Sequence, residues 1–170
     1  GNSSFLFHAL EKNNCSSSII VIYDPVKVDS LKTFSVGSKT ELALNDETGG
    51  NPLKRYVVEI LEIRDGEFSE STPRHGGQTS YDMGKVVLAR TELGNYIVFT
   101  SKRVPPFSSQ QLQLFDIDLS QLNWIVAKGV NAPIAAYQDI CPNYFKIQTP
   151  GESNADATQY HYQYRRRPMI

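Results

Sequence analysis

The sequence has two cysteines, Cys15 and Cys141, far apart and in no C-x-x-C pair. That spacing excludes a zinc ribbon and a thioredoxin-like redox motif, and it reads as two buried small hydrophobes. No apolar run approaches the ~18 residues of a membrane-spanning helix, and no secretory signal pattern is visible. The chain opens Gly1-Asn2-Ser3-Ser4 without an initiator Met. It reads as excised from a longer protein, so the missing signal says little about location; a cytoplasmic one is the working expectation. Charge of one sign is also lacking. The formal net charge is −1, which gives no global reason to expect nucleic acid or an anionic membrane as partner. Histidine is scarce: His8, His75 and His161 form no H-x-x-x-H, H-E-x-x-H or H-x-H spacing, so no local metal site is written here. There is no G-x-S-x-G nucleophile elbow, no phosphate-binding glycine loop and no paired carboxylates that stand out for acid–base work.

What remains is ordinary for a globular chain: 170 residues, 40% hydrophobic and 21% charged. That length suits one domain whose core needs neither disulfide nor metal. Residues 3–13 predict a helix capped by Ser3 or Ser4, with Phe5, Leu6, Ala9 and Leu10 on its inner face and Asn13-Asn14 ending it in the left-handed region. "SSIIVIYD" (17–24) is a continuous apolar run, the pattern of a strand covered on both faces. Asp24-Pro25 then starts a second helix, Asp as cap and Pro at the first turn, with Val28 and Leu31 inward and Gly37 as its end. Strands are predicted at 40–44, 55–63, 85–90, 96–101, 123–129 and 143–151. Asp65-Gly66 reads as a turn, residues 69–84 as an irregular loop, and Gly94-Asn95 as a hairpin tip. Short helices are predicted from Ser108, where Ser108 and Gln111 have capping-box spacing, and over 131–140 from Asn131. Together these predict an α/β fold: a three-layer domain with a mixed β-sheet and helices on its faces.

The candidate site residues are cations and one histidine. The apolar strand "YIVFTS" runs into Lys102 and Arg103 before two prolines. Those cations are either the solvated end of a core strand or holders of an anion. Arg103 is the first choice for a carboxylate partner, since its planar fork makes bidentate contacts that Lys cannot. Lys128, at the end of another predicted strand, can lie near it if the two strands are neighbours. His75, within "RHGGQ", is the best single candidate for chemistry, because the glycines let backbone approach a ligand closely. The tail "YHYQYRRRP" interleaves tyrosines with bases, and an amphipathic terminal strand accounts for it better than single-stranded nucleic acid.

Taken in order, several segments resemble one family. "LEIRDGEF" (61–68) matches a strand followed by D-G-x-F. "DMGKVVLAR" (82–90) resembles D-L-G-x-x-x-V-L-R, and residues 97–129 resemble a V-V-T-S-R-R…F…G-I-D-P…V-V-K-S run. "SSIIVIYDPVKV", "TPG" and "YRRRP" fit its opening and close. The ordered set is similar to the C-terminal domain of the microcystinase C (MlrC) family of zinc metallopeptidases. The resemblance covers nearly the whole chain, so residues 1–170 read as that single domain. It implies a catalytic N-terminal metal-binding domain, absent here, that holds the zinc; it also implies peptide substrates, and an accessory role for this part in domain packing or in supporting the substrate cleft. Where the family usually has K-S-x-x-H-F, this chain has Lys128-Gly129-Val130-Asn131-Ala132-Pro133, with Ala132 at the His position. Asp116 stands for the family Gly before I-D-P and is expected to adopt the same left-handed turn. The rival readings are a non-enzymatic α/β module binding a small anionic ligand or a protein partner, and an independent enzyme around His75.

Overall fold

The run Ser18–Tyr23 forms strand β1, and its burial on both faces decides the architecture. The computed structural model describes residues 4–46, 51–73, 77–129 and 131–149. In chain order these form α1 (Phe5–Lys12), β1, α2 (Pro25–Leu31), β2 (Lys39–Asp46), β3 (Asn51–Ser69), β4 (Ser80–Thr91), β5 (Tyr96–Thr100), α3 (Gln110–Gln113), β6 (Trp124–Val126) and α4 (Ala132–Tyr137). The strands make one open mixed sheet, ordered β2-β3-β4-β5-β1-β6. β1 lies parallel between β5 and β6, with Ile20 opposite both Ile97 and Val126. The β2-β3-β4-β5 part is antiparallel.

Two apolar cores follow from strand alternation. Ile20, Ile22, Val87, Ala89, Ile97 and Phe99 face α1 and α2, packing with Phe7, Val28 and Leu31. Ile19, Val86, Leu88 and Val98 face the other way, against Leu112, Phe115, Ala136 and Tyr137. Each such fully buried side chain contributes about 1.5–3 kcal/mol of transfer free energy. The result is the three-layer α/β arrangement predicted from the sequence.

Several local expectations hold. Asp24 caps α2, its Oδ1 accepting the Lys27 N–H at 2.9 Å. Asn14 sits at φ 54 after α1, and the Thr91–Asn95 turn joins β4 to β5. Others need correction. The inward residues of α1 are Phe7 and His8, and Ala9 is exposed. α2 ends at Leu31, so Gly37 lies in the following loop, its N–H bonded to the Ile60 carbonyl. β3 does not turn at Asp65-Gly66 but runs on to Ser69, because a bulge there absorbs the irregularity. β4 begins at Ser80, which converts part of the predicted loop into paired strand with Met83 buried. β6 is a three-residue edge strand and only half-buried, since β1 covers one of its sides. Residues 143–149 form no strand, and Tyr144, Phe145 and Ile147 are exposed. Both cysteines are half-buried; burial pushes the Cys141 thiol up. Asp116 is not among the positive-φ residues and instead donates its N–H to Glu62. The tail and Pro150-Gly151 lie outside the described residues.

Candidate functional site

The sequence feature that builds the site is D-x-G in β4. Gly84 takes φ +68, and its N–H donates to Asp82 Oδ1 at 2.6 Å. A side chain at Gly84 would meet Ser101 Oγ and Lys102 Cγ, so glycine lets the loop after β5 lie directly on the bulge. Backbone bonds then fix that loop: Ser101 N–H to the Lys85 carbonyl at 3.0 Å and Lys102 N–H to the Met83 carbonyl at 2.9 Å. On the other strand Gly66 serves close approach, since a Cβ there would stand 2.7 Å from both Met83 Cβ and Val86 Cγ1.

The clamped loop separates its two cations. Lys102 pairs with Asp82. That hydrogen bond raises the Lys102 ammonium pKa and lowers the Asp82 carboxyl below the usual range. Arg103 turns the other way, its Cζ 4.8 Å from the centroid of the Tyr23 ring, a cation–π contact that orients the guanidinium. Among the described residues Arg103 has no carboxylate partner, and neither has Lys128.

Arg103 and Lys128 line one cleft at the carboxyl ends of the parallel strands β5, β1 and β6, together with Tyr23, Thr100, Gln111 and Tyr137. Parallel α/β sheets bind ligands at this edge, where the chain leaves successive strands toward opposite faces. Here α2 follows β1 onto one face and α3 follows β5 onto the other. The cavity volume is about 30 Å³. A water needs about 10–15 Å³ measured this way, so the space suits two polar atoms rather than a whole small molecule. Gln111 in its wall is 1% exposed. Its Nε2 donates to Met83 Sδ at 3.4 Å, and its Oε1 has no hydrogen-bond partner. A larger hollow of about 520 Å³ lies over β2–β4, but its arginine, Arg90, is already paired to Glu59 at 2.9 Å.

The structure therefore places Arg103 and Lys128 together, puts Lys102 on Asp82 outside the residues lining the cleft, and leaves His75 outside the described residues. Sequence reasoning missed Gln111 and Tyr23. Gln111 was masked by its capping-box spacing, whereas Ser108 Oγ accepts the Gln110 N–H at 2.9 Å and the Gln111 side chain turns inward. Tyr23, as the last residue of an apolar strand, carried no signal.

Two other polar centres are structural. His8 is 3% exposed, 2.9 Å from Ser4 Oγ through Nε2 and 2.5 Å from Tyr56 Oη through Nδ1. Glu11 Oε1 accepts from Thr91 Oγ1 and Asn95 Nδ2, both at 2.7 Å, tying α1 to the β4–β5 turn. Among the described residues no three His, Cys, Asp or Glu side chains are grouped to hold a metal, so this part of the chain does not fit a zinc site. No helix among the described residues is long and apolar enough to cross a membrane.

Beside the cleft, the open edge of the sheet carries exposed aromatic surface. Trp124 on β6 is 42% exposed and its ring lies 6.4 Å from that of Phe145, which is 73% exposed. Tyr144 and Ile147, neighbours of Phe145 in the chain, are 63% and 58% exposed.

No curated protein sequence matches the chain. The fold is similar to that of a protein from Mesorhizobium sp. BNC1 described as a putative metallopeptidase, with a TM-score of 0.71 and 15% identity over 82% of this chain. The similar region is 28% of that longer chain. At that identity the likeness is one of fold. Residues 1–164 match the family described as MlrC C-terminus. That match spans nearly all of the 170 residues, so the chain belongs to the MlrC C-terminal domain family.

Proposed function

We propose that this chain is the non-catalytic C-terminal part of a zinc-dependent peptidase, and that it packs against the metal-binding N-terminal domain of the same protein and walls one side of its peptide cleft. The observation that carries this is the exposed strip of Trp124, Tyr144, Phe145 and Ile147 along the sheet edge, in a chain that aligns with only 28% of its structural neighbour. Clustered apolar surface of this kind marks an interface rather than a solvated face. Among the described residues β6 is paired on one side only, and such an edge offers its backbone groups to the same partner.

The N-terminal part of the parent protein, produced separately, tests this. Mixed with residues 1–170, it should form a one-to-one complex by analytical ultracentrifugation. Trp124→Ser with Phe145→Ser should abolish that complex without unfolding this chain, because neither side chain belongs to either core and they are 42% and 73% exposed. A complex that survives the double substitution would refute the assignment of this face. The rival reading, a free-standing binding module, rests on the two unpaired cations in the cleft and predicts no complex at all.

A further inference from the structure

We infer that the cleft between Arg103, Lys128 and Gln111 is a carboxylate-binding subsite for a peptide. The inference deepens the reading above, on which the parent protein acts on peptides, by naming which group of the peptide this part holds.

Three observations converge on one group. Two cations line the cleft, and neither has an anionic partner among the described residues, although Lys102, Lys85, Arg55 and Arg90 all have one. The guanidinium is held in place: the loop bearing Arg103 is bonded to β4, and the Tyr23 ring lies beneath the charge. A fork fixed in this way suits a planar two-oxygen anion. Finally, Gln111 sits in the wall, 1% exposed and with one amide atom unpartnered. Buried polar groups are nearly always paired, so an unpaired one in the wall of a cleft lined by two cations without an anionic partner among the described residues marks a place for a polar guest. A backbone N–H of the bound peptide can donate to Gln111 Oε1, while Arg103 and Lys128 donate to the carboxylate oxygens.

Size selects the guest. A cavity of about 30 Å³ has room for about two oxygen-sized atoms. The two oxygens of a carboxylate match that room. The tetrahedral array of a phosphate does not fit as well. Lys102 has no part in this, because Asp82 holds it.

The test is a ¹H–¹⁵N NMR titration of the 170-residue chain with N-acetyl-Ala-Ala, with the C-terminal amide of the same peptide, and with inorganic phosphate. Saturable shifts should appear at the Gln111 side-chain amide and at the Lys128 and Gly129 backbone amides with the acid, and not with the amide. Arg103→Gln and Lys128→Gln should each weaken binding by at least about tenfold, the loss expected for a hydrogen bond to a charged group. Arg103→Lys should fall between wild type and Arg103→Gln, since it keeps charge and loses the fork. Both residues are exposed, so these variants should keep wild-type spectral dispersion. Equal shifts with the peptide amide, or wild-type affinity in Arg103→Gln, would overturn the subsite. Tighter binding of phosphate than of the acid would overturn the peptide assignment. The outcome is separable from the domain-packing test: a complex that forms through the Trp124 face while the titration stays flat removes the subsite and leaves the accessory role standing.

Discussion

Replacing Gln111 with Met separates a group kept for structure from one kept for binding. Gln111 is 1% exposed, and its Oε1 is unpartnered. A buried acceptor left unpaired costs about 1–3 kcal/mol. Methionine has nearly the same length and shape and removes that cost. It also removes the Nε2 donor to Met83 Sδ at 3.4 Å, a weak contact of about 0.5–1 kcal/mol. The balance is a gain of about 1 kcal/mol. For a domain of this size that is a rise of about 2–4 °C in Tm. The assay is a thermal melt followed by circular dichroism, paired with the N-acetyl-Ala-Ala titration. The variant should melt higher and bind the peptide acid at least about fivefold more weakly, the pattern of a binding residue retained at a cost in stability. A Tm several degrees below wild type would refute the reasoning. It would mean that Oε1 is satisfied in the native protein and that Gln111 is a structural polar group.

Other perturbations follow from the same geometry. Gly84→Ala must adopt φ +68 and displace the Ser101 hydroxyl and the Lys102 Cγ, so urea denaturation should show a loss of about 2–5 kcal/mol; an unchanged midpoint would mean that the loop is not clamped. Lys102→Ala removes an exposed ion pair and should leave both Tm and peptide-acid affinity at wild-type values, whereas a loss of affinity would place Lys102 in the subsite. Burial, with Glu11 nearby, raises the Tyr56 hydroxyl from 10.0 to about 12. The unfolded chain therefore releases this proton first, and the contribution of Tyr56, fully present below pH 10, is lost as the pH rises to about 12. Denaturation midpoints at pH 9 and 11 should fall less in Tyr56→Phe than in wild type; parallel falls would show that Tyr56 titrates alike in both states.

The parts of the fold that were legible are those written in local chemistry. The Ile-Val run of β1 announced burial on both faces, and Asp24-Pro25 announced a capped helix; both are as predicted. The errors arose where tertiary pairing overrides a local signal. Asp65-Gly66 is a turn dipeptide by propensity, yet β4 pairs on both sides of it, and the glycine is needed for contact with Met83 and Val86. His8 interrupts the apolar stripe of α1, so the stripe was placed on Phe5, Leu6, Ala9 and Leu10; the Tyr56 hydroxyl is what makes a buried histidine acceptable there. In the site, a strand running into two cations pointed to the edge of the sheet where Arg103 and Lys128 lie. That Arg103 and Lys128 share a cleft depends on β1 lying between β5 and β6, which no local pattern encodes. That Lys102 is already paired depends on an aspartate twenty residues away. Gln111 is found only by asking which buried polar atoms lack partners.

The most direct test of the central claim compares the full-length protein with residues 1–170 alone for bound zinc and for hydrolysis of a linear peptide. Zinc and hydrolysis are expected in the full-length protein and neither in the 170-residue chain. Stoichiometric zinc with peptide hydrolysis in the 170-residue chain would contradict it, and would place a catalytic site within this domain.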